Sequence, residues 1–576
     1  MPTTIEKKHI VFAALGLGTI VVVAILALRC GGPKESAPAK PSEKPKPEAV
    51  SIRRDDILRA TEIEAPDAGW EVAFSLYPPG ALPAPPPPDG RVAYPTMRNR
   101  IVRIAMDSRF AWAPLILRNH GTAPGPAWTA ADGTSFQVEL VRIDDPVALR
   151  DAFASGRVHA ARGTVGVLAG WAPGLAKDAR AAPRVFQQLD WSKGADLLVV
   201  RRGIAPASSH PGISDLLGGK EGEKSKIVVV EDSPGEQFAI RTLIEAGIQP
   251  GQVEFELARD PFQAAAMLRT DPRIVACAGS TPEIHALARS TDNTVLATTA
   301  RNRRLLADVW FARADFLRDF PEICEGLARG IFEGIEAMKS PLGRRQAAER
   351  MTEVFGFSTE EWLSQFEGSH PASPAENREF FLNRNNPANF QRAWENACVV
   401  RKALGEIAEP LPFSAVLDAA LVRRLVGSDP PAPGREALMA PPPAVRRSIR
   451  LRSIDGGPPA LVECFTVPFA PNRWELPPCA KATLDEVARL VSLRSKPPVI
   501  LVEGHADASR HGKTDAQLAR DLSMNRAQTV KAALLARLPN LAPSRISTTA
   551  LGWSRPAHPT RHATNRRAEI TILPAK

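Results

Sequence analysis

Hydrophobic and polar positions change their spacing several times along the chain, and each change marks a different kind of element. Residues 10–28 form an unbroken uncharged run between His9 and Arg29. At about 1.5 Å per residue this run reaches across a hydrocarbon core of about 30 Å, so it predicts a transmembrane helix. It is longer than the apolar core of a usual signal peptide, and no small-x-small cleavage site follows it. Cys30 follows Arg29 and not the small residue that lipoprotein processing prefers. Charge does not orient the span, because Lys7 and Lys8 precede it while Arg29, Lys34, Lys40, Lys44 and Lys46 follow it.

From about residue 100 the pattern becomes short apolar runs alternating with helical periodicity, and it occurs twice. Ile101-Val102-Arg103-Ile104-Ala105-Met106-Asp107-Ser108 leads into an apolar helical stretch that ends near Gly121, and 227–233 leads into one that ends at Gly247. Each is followed by a strand, an Asp-Pro helix start and another strand: 138–143, Asp145-Pro146 and 158–162, then 253–257, Asp260-Pro261 and 274–278. Such a strand-helix-strand repeat predicts parallel α/β sheets with ligands outside the carboxyl ends of the strands, and two such lobes facing each other make a cleft.

Those strand ends carry Ser108, Gly163-Thr164, Ser233 and Ser280-Thr281. Ser233-Pro234-Gly235-Glu236 has the pattern of a capping box with Pro at the first helical position. Its free N–H groups and positive dipole end suit a carboxylate, phosphate or sulfonate. The candidate ligand residues are therefore Ser108, Thr164, Ser233, Gly235, Ser280 and Thr281, with Trp112 and Trp191 as aromatic walls. Taken singly, each also reads as a helix cap, a turn residue or a core aromatic; recurrence at matching places in both copies is what groups them.

Near the end of the chain, Val502-Glu503-Gly504 reads as a strand, followed by a loop and a helix over about 518–538. Leu518, Leu522, Arg526, Val530 and Leu534 recur at four-residue spacing, which puts Arg526 inside the apolar stripe. A guanidinium there requires a carboxylate from the protein or from a ligand, since leaving it unpaired costs several kcal/mol. Asp507, at the strand end, is the nearest candidate in sequence. An Asp and an Arg side by side also hold a zwitterion, the Asp on the ammonium and the Arg forked onto the carboxylate.

Two resemblances follow from these motifs. Gly504-His505-Ala506-Asp507, Leu522-Ser523-x-x-Arg526-Ala527 and Asn565-Arg566-Arg567-Ala568-Glu569-Ile570, with Phe469-Ala470-Pro471-Asn472 and Leu484-Asp485-Glu486-Val487-Ala488 ahead of them, resemble the OmpA-like peptidoglycan-binding domain over 448–576. That resemblance implies a smaller α+β domain in which Asp507 and Arg526 hold the amino-acid end of diaminopimelate in the stem peptide of the wall. The chain departs from the family pattern in a longer loop between Asp507 and Leu522 and in Ala519, where Asn is common.

Residues 100–426 resemble the periplasmic substrate-binding proteins of ABC importers, of the nitrate, sulfonate and taurine type. The residues that carry this are 190–196, 230–235, Gly279-Ser280-Thr281-Pro282-Glu283-Ile284 and Asp308-Val309-Trp310-Phe311-Ala312-Arg313. This implies two lobes joined by hinge strands that close over a small anion or amino-acid-like ligand, with residues 300–426, largely helical by periodicity, returning to the first lobe.

Composition adds the spacers and excludes some chemistry. The 54 prolines cluster, and residues 31–50, 78–88 and 429–443 predict extended linkers. No pattern assigns an element within 51–95. The net charge of +10 is spread without a basic stripe interleaved with aromatics, so nucleic acid is not an expected partner. Of the six cysteines, Cys464 and Cys479 are spaced to close a small disulfide loop, while Cys277, Cys324 and Cys398 read as buried thiols. No metal spacing, nucleophile-base pair, P-loop or dinucleotide fingerprint occurs, so neither a cofactor nor an enzymatic activity is expected.

The expected organisation is a membrane anchor (1–30), a linker with an unassigned segment (31–95), a two-lobed α/β binding domain (96–428), a second linker (429–446) and the OmpA-like domain (447–576). The expected setting is the inner membrane with the bulk in the periplasm, and the expected partners are peptidoglycan, a small anionic ligand and an ABC permease or other inner-membrane protein. The rival reading is a membrane-to-wall tether whose α/β body docks a protein.

Overall fold

The computed structural model describes residues 101–202, 212–217, 223–301, 305–384, 386, 388–427, 445–453, 457–512 and 515–574, together with Asp55, Leu58, residues 62–65, Met97 and Arg100. All of these belong to one compact unit. The run 10–28 and the proline-rich linkers lie outside the described residues; among the described residues no helix is long and apolar enough to cross a membrane.

Three sheets organise the chain. The first has seven strands in the order Ser369–Pro371, Pro183–Ser192, Ala307–Arg313, Ala160–Thr164, Ile101–Met106, Ser135–Arg142 and Trp128–Thr129. The second has five, in the order Asn293–Thr298, Asp196–Arg201, Ile274–Ser280, Lys226–Val230 and Glu254–Ala258. The sequence repeat maps onto equivalent positions: Ile101–Met106 lies parallel to Ser135–Arg142 on one side and Ala160–Thr164 on the other, as Lys226–Val230 does between Glu254–Ala258 and Ile274–Ser280.

Neither sheet is wholly parallel, contrary to the expectation from alternating strands and helices. Ala307–Arg313 and Pro183–Ser192 join the first sheet antiparallel, and Asp196–Arg201 joins the second antiparallel to Ile274–Ser280. The reason is connectivity. The chain crosses from the first sheet to the second between Ser192 and Asp196 and returns between Thr298 and Ala307, so the strands at the crossings pair antiparallel, as do the short edge strands Ser369–Pro371 and Trp128–Thr129.

Both faces of the first sheet are covered, one around Trp112, Trp310 and Leu327 and the other around Leu168, Phe311, Phe380 and Trp394. That double burial explains strands buried along their whole length, such as Pro183–Ser192. The helices between Ala314 and Val426 supply much of the cover, as their periodicity implied.

The third sheet has the order Arg447–Ser453, Pro459–Pro468, Arg567–Ile572, Ile500–His505 and Ile546–Ala550. The helices Ala480–Ser492 and Ala516–Arg537 pack on one face of it, through Leu484, Val487, Val530 and Leu534 against Phe465, Val467 and Ile570. Its edge meets the second lobe: Ile240 and Ile244 of the helix Pro234–Glu245 pack with Ile449 and Leu461, and Arg447 reaches Glu245 at 2.6 Å.

The expected Cys464–Cys479 disulfide is absent, and both side chains are thiols. Cys464 is buried within its strand 3.5 Å from the Thr571 hydroxyl, whereas Cys479 is exposed at the start of the next helix. Cys277, Cys324 and Cys398 are buried thiols.

Candidate functional site

Between the first two sheets lies a cavity of about 60 Å³ lined by residues from both, among them Asp107, Ser108, Arg109, Arg162, Asp232, Ser233, Ser280, Thr281 and Glu283. The strand ends supply most of them, since Ile101–Met106 leads directly into Asp107 and Ser108, and Ile274–Ser280 into Thr281. The amide and hydroxyl of Ser108 donate to Asp144 Oδ1 at 2.8 and 2.7 Å. Ser280 donates to Asp196 Oδ1 and Ser192 to Asp196 Oδ2, each at 2.5 Å, so Asp196 is held at the crossing between the lobes.

Charge in the cavity is mixed and weighted toward acids. Arg162 lies 3.0 Å from Asp308 and 3.8 Å from Asp107, and Arg109 pairs with Asp107. Burial alone would raise the Asp107 pKa, but Arg109 and Arg162 outweigh it and hold that carboxyl below its usual value. Asp196 is raised, burial outweighing the Ser192 and Ser280 hydroxyls. Behind the cavity burial pushes Asp190 up to about 8, with the neighbouring Asp308 charge adding to it, and burial pushes Glu283 up to about 7. Side chains join the two lobes: at the cavity Trp171 Nε1 donates to Asp232 at 2.9 Å, and outside it Thr164 Oγ1 donates to Gln237 Oε1 at 2.8 Å.

Ser108, Ser233, Ser280 and Thr281 thus line the cavity, but four other candidates do not. Trp112 is a core residue: it stands edge-on to Trp310, and its own indole N–H donates to Asp107 Oδ1 at 2.7 Å. Trp191 packs edge-on to Phe380 away from the cavity. Thr164 caps the helix Val165–Leu175 and joins the lobes through Gln237. Gly235 is where the helix Pro234–Glu245 crosses the Ile274–Ser280 strand, since a Cβ there would sit 2.6 Å from Gly279 Cα. Aromatic and small residues serve packing as readily as binding, so strand-end position brings Ser108, Ser233, Ser280 and Thr281 to the cavity wall and leaves these four in the packing around it. Half of the expected capping box exists: Ser233 accepts from the Glu236 amide at 3.2 Å, while the Glu236 carboxylate turns to Arg401.

The second candidate site is on the third sheet. Gly504 passes so close to the Ser523 carbonyl that a Cβ would collide with it, and Ser523 Oγ in turn accepts from the Gly552 amide at 3.0 Å. These contacts fix the strand Ile500–His505 against the helix Ala516–Arg537 and bring the Arg526 guanidinium under the residues that follow the strand. Arg526 is fully buried, donates to the carbonyls of Arg473, Ala470 and His505 at 2.8, 3.1 and 2.9 Å, and lies over the Phe469 ring.

The carboxylate that answers Arg526 is Glu64 and not Asp507. Arg526 Nη1 and Nη2 donate to Glu64 Oε1 and Oε2 at 2.8 and 2.7 Å. The carboxylate of Asp507 instead accepts from Arg566 at 2.8 Å and from the Ser509 amide at 2.7 Å, while the Asp507 amide donates to Glu64 Oε1 at 2.9 Å. Sequence reasoning missed Glu64 because it lies 462 positions from Arg526, in a stretch without periodicity, and did not single out Arg566 within its closing motif because no local spacing joins it to Asp507, 59 positions away.

Residues 468–569 match the OmpA family model. This OmpA-like segment contains both Asp507 and Arg526, and it resembles the OmpA-like domain of FopA1 from Francisella tularensis at 19% identity, over 23% of this chain and 82% of that one, with a TM-score of 0.19. Over 56–57% of its length the chain is also similar to solved ligand-binding proteins. The ligand-binding component of an ABC-type import system from Staphylococcus aureus is 12% identical over 57% of this chain and all of that one, with a TM-score of 0.43. The nitrate-binding protein NrtA from Synechocystis is 13% identical over 57% of this chain and 88% of that one, with a TM-score of 0.44. The aliphatic sulphonate-binding protein SsuA from Escherichia coli is 12% identical over 56% and 99%, with a TM-score of 0.41. No curated protein matches the chain.

Proposed function

We propose that this is an envelope binding protein, anchored in the inner membrane by residues 10–28, that receives a small solute between its two lobes and grips peptidoglycan through residues 447–576. On this reading residues 96–428 are the solute-binding domain, and 31–95 and 429–446 are its tethers. The observation that carries the wall-binding part is the pocket in the OmpA-like segment, where the buried Arg526 guanidinium and the Asp507 amide converge on one carboxylate oxygen. That arrangement suits the carboxylate of diaminopimelate, and the ammonium would share the Asp507 carboxylate with its present partners, Arg566 and the Ser509 amide.

For the solute, the charges around the cavity favour an amino-acid-like ligand over a plain anion. Arg109 and Arg162 offer a carboxylate two guanidiniums, but Asp107, Asp144, Asp196 and Asp232 surround them and would repel a ligand with no positive group. The mechanism is closure: a ligand that touches both lobes stabilises the closed form by its greater affinity for it, and a membrane partner reads the changed surface.

Two measurements test this. Full chain mixed with saturating diaminopimelate-type peptidoglycan is expected to pellet with it, and Arg526→Ala and Asp507→Ala to remain in the supernatant while still melting cooperatively; unchanged pelleting of both variants would sink the wall-binding reading. Native mass spectrometry and thermal shifts against amino acids and small anions test the cleft, a ligand at 100 times its Kd adding about 2.7 kcal/mol. A cleft that stays empty and unresponsive would instead favour a tether whose lobes dock a protein.

A further inference from the structure

The pocket that receives Arg526 is already occupied by the chain itself. We propose that residues 62–65 are a built-in competitor for the wall-binding pocket, which a diaminopimelate-bearing stem peptide must displace before the domain grips the wall; the proposal rests on the wall-binding reading above. Glu64 is fully buried, and its carboxylate accepts four N–H bonds: from Arg526 at 2.8 and 2.7 Å, from the Asp507 amide at 2.9 Å and from the Asn472 amide at 2.9 Å. A forked guanidinium flanked by two backbone amides is a carboxylate receptor complete in itself.

The pocket also reads the backbone of its occupant. Asn472 Oδ1 accepts from the amides of Ile63 and Glu64, both at 2.7 Å, and Asn472 Nδ2 donates to the Glu64 carbonyl at 2.8 Å. The Ala65 amide donates to Ser509 Oγ at 2.8 Å, and the Glu62 carboxylate pairs with Arg510 at the exposed rim. Leu58 and Ile63 fill the apolar part against Ala506 and Leu522. A short stretch of chain is thus bound by one buried carboxylate, its peptide groups and two apolar side chains, which is the chemistry of a peptide ligand.

The mimicry is incomplete in one respect, and that makes exchange possible. Glu64 brings a carboxylate but no ammonium, so the Asp507 carboxylate remains with Arg566 and Ser509. A zwitterionic amino-acid end gains a contact with Asp507 that the internal segment lacks. Against this, a tethered segment competes at an effective concentration that reaches the millimolar range for short flexible linkers. An isolated stem peptide is therefore held off, and a wall presenting many of them together is not.

The test uses the full chain and a soluble muropeptide containing diaminopimelate. In the wild-type protein, saturating muropeptide is expected to raise amide hydrogen exchange at Ile63, Glu64 and Ala65, whose N–H groups lose their acceptors. Glu64→Ala is expected to bind the same muropeptide at least about tenfold more tightly, a gain of about 1.4 kcal/mol. Muropeptide binding with protection at 63–65 unchanged, or equal affinity of wild type and Glu64→Ala, overturns the built-in competitor and leaves the wall-binding reading standing. Failure of both proteins to bind muropeptide and peptidoglycan overturns that reading, and the competitor with it.

Discussion

Arg526 and Asp190 show how single buried charges set the behaviour of their surroundings. Arg526 sits on an apolar helix face, where a two-pronged Glu64 and three carbonyls share its N–H groups. Lysine cannot reproduce that fork. Arg526→Lys is expected to lower stability by about 2 kcal/mol in urea unfolding while keeping the charge, because several carbonyls lose donors. Asp190 behaves oppositely, being held in its neutral form up to about 8 by burial and by Asp308. Its folded pKa is raised above the unfolded value, so the folded state holds the proton more tightly. The resulting stability is present below the unfolded carboxyl value and is lost as pH rises toward 8. Thermal melts are expected to show Asp190→Asn flattening the decline between pH 5 and pH 8 by about 1–3 kcal/mol, since one pKa unit is worth about 1.4 kcal/mol. A decline of the same size in the variant would assign it to other groups.

The helix Pro234–Glu245 is the element through which the three sheets meet. Its Ser233 cap borders the cavity, Gln237 bonds to Thr164 of the first lobe, and Glu245 at its last turn pairs with Arg447 of the third sheet. Gly235 lets it approach the Ile274–Ser280 strand, with the Ala278 carbonyl only 2.8 Å from where a Cβ would stand. Gly235→Ala is therefore expected to force the helix outward and cost about 1–3 kcal/mol, read as a lower urea midpoint. A midpoint equal to wild type would mean that the strand yields instead.

Across the whole molecule, the contact between the first two sheets and the seating of the OmpA-like segment share this helix. Arg447 bridges Glu245 and Glu463, both nearly without solvent exposure, and Arg241 adds a contact to Glu463 at 3.3 Å. Removing Arg447 takes the closest cation from two buried carboxylates, leaving Glu463 to Arg241 and Glu245 to Arg489 at 3.6 Å; breaking a buried pair costs about 3–5 kcal/mol. Arg447→Ala is expected to separate the third sheet from the second lobe, seen as a second melting transition and a larger radius of gyration in solution scattering. One transition with an unchanged radius would show that the apolar contacts among Ile240, Ile244, Ile449 and Leu461 hold the two together unaided.

Periodicity and short-range spacing are local properties, and they prescribe the repeated strand-helix-strand units, the hydroxyl residues at their carboxyl ends and the Arg526 position on its helix. They also require a carboxylate for Arg526, since desolvation of a guanidinium is a property of the residue type. Which carboxylate that is depends on how distant parts of the chain pack. Asp507 is near in sequence, yet its side chain accepts from Arg566, and Glu64 arrives from across the chain to take the guanidinium. The antiparallel crossing strands and the burial of Trp112 and Trp191 were likewise settled by how the lobes connect and pack. A pairing between distant residues leaves no trace in local spacing, because its free energy comes from water excluded by parts of the chain that only folding brings together.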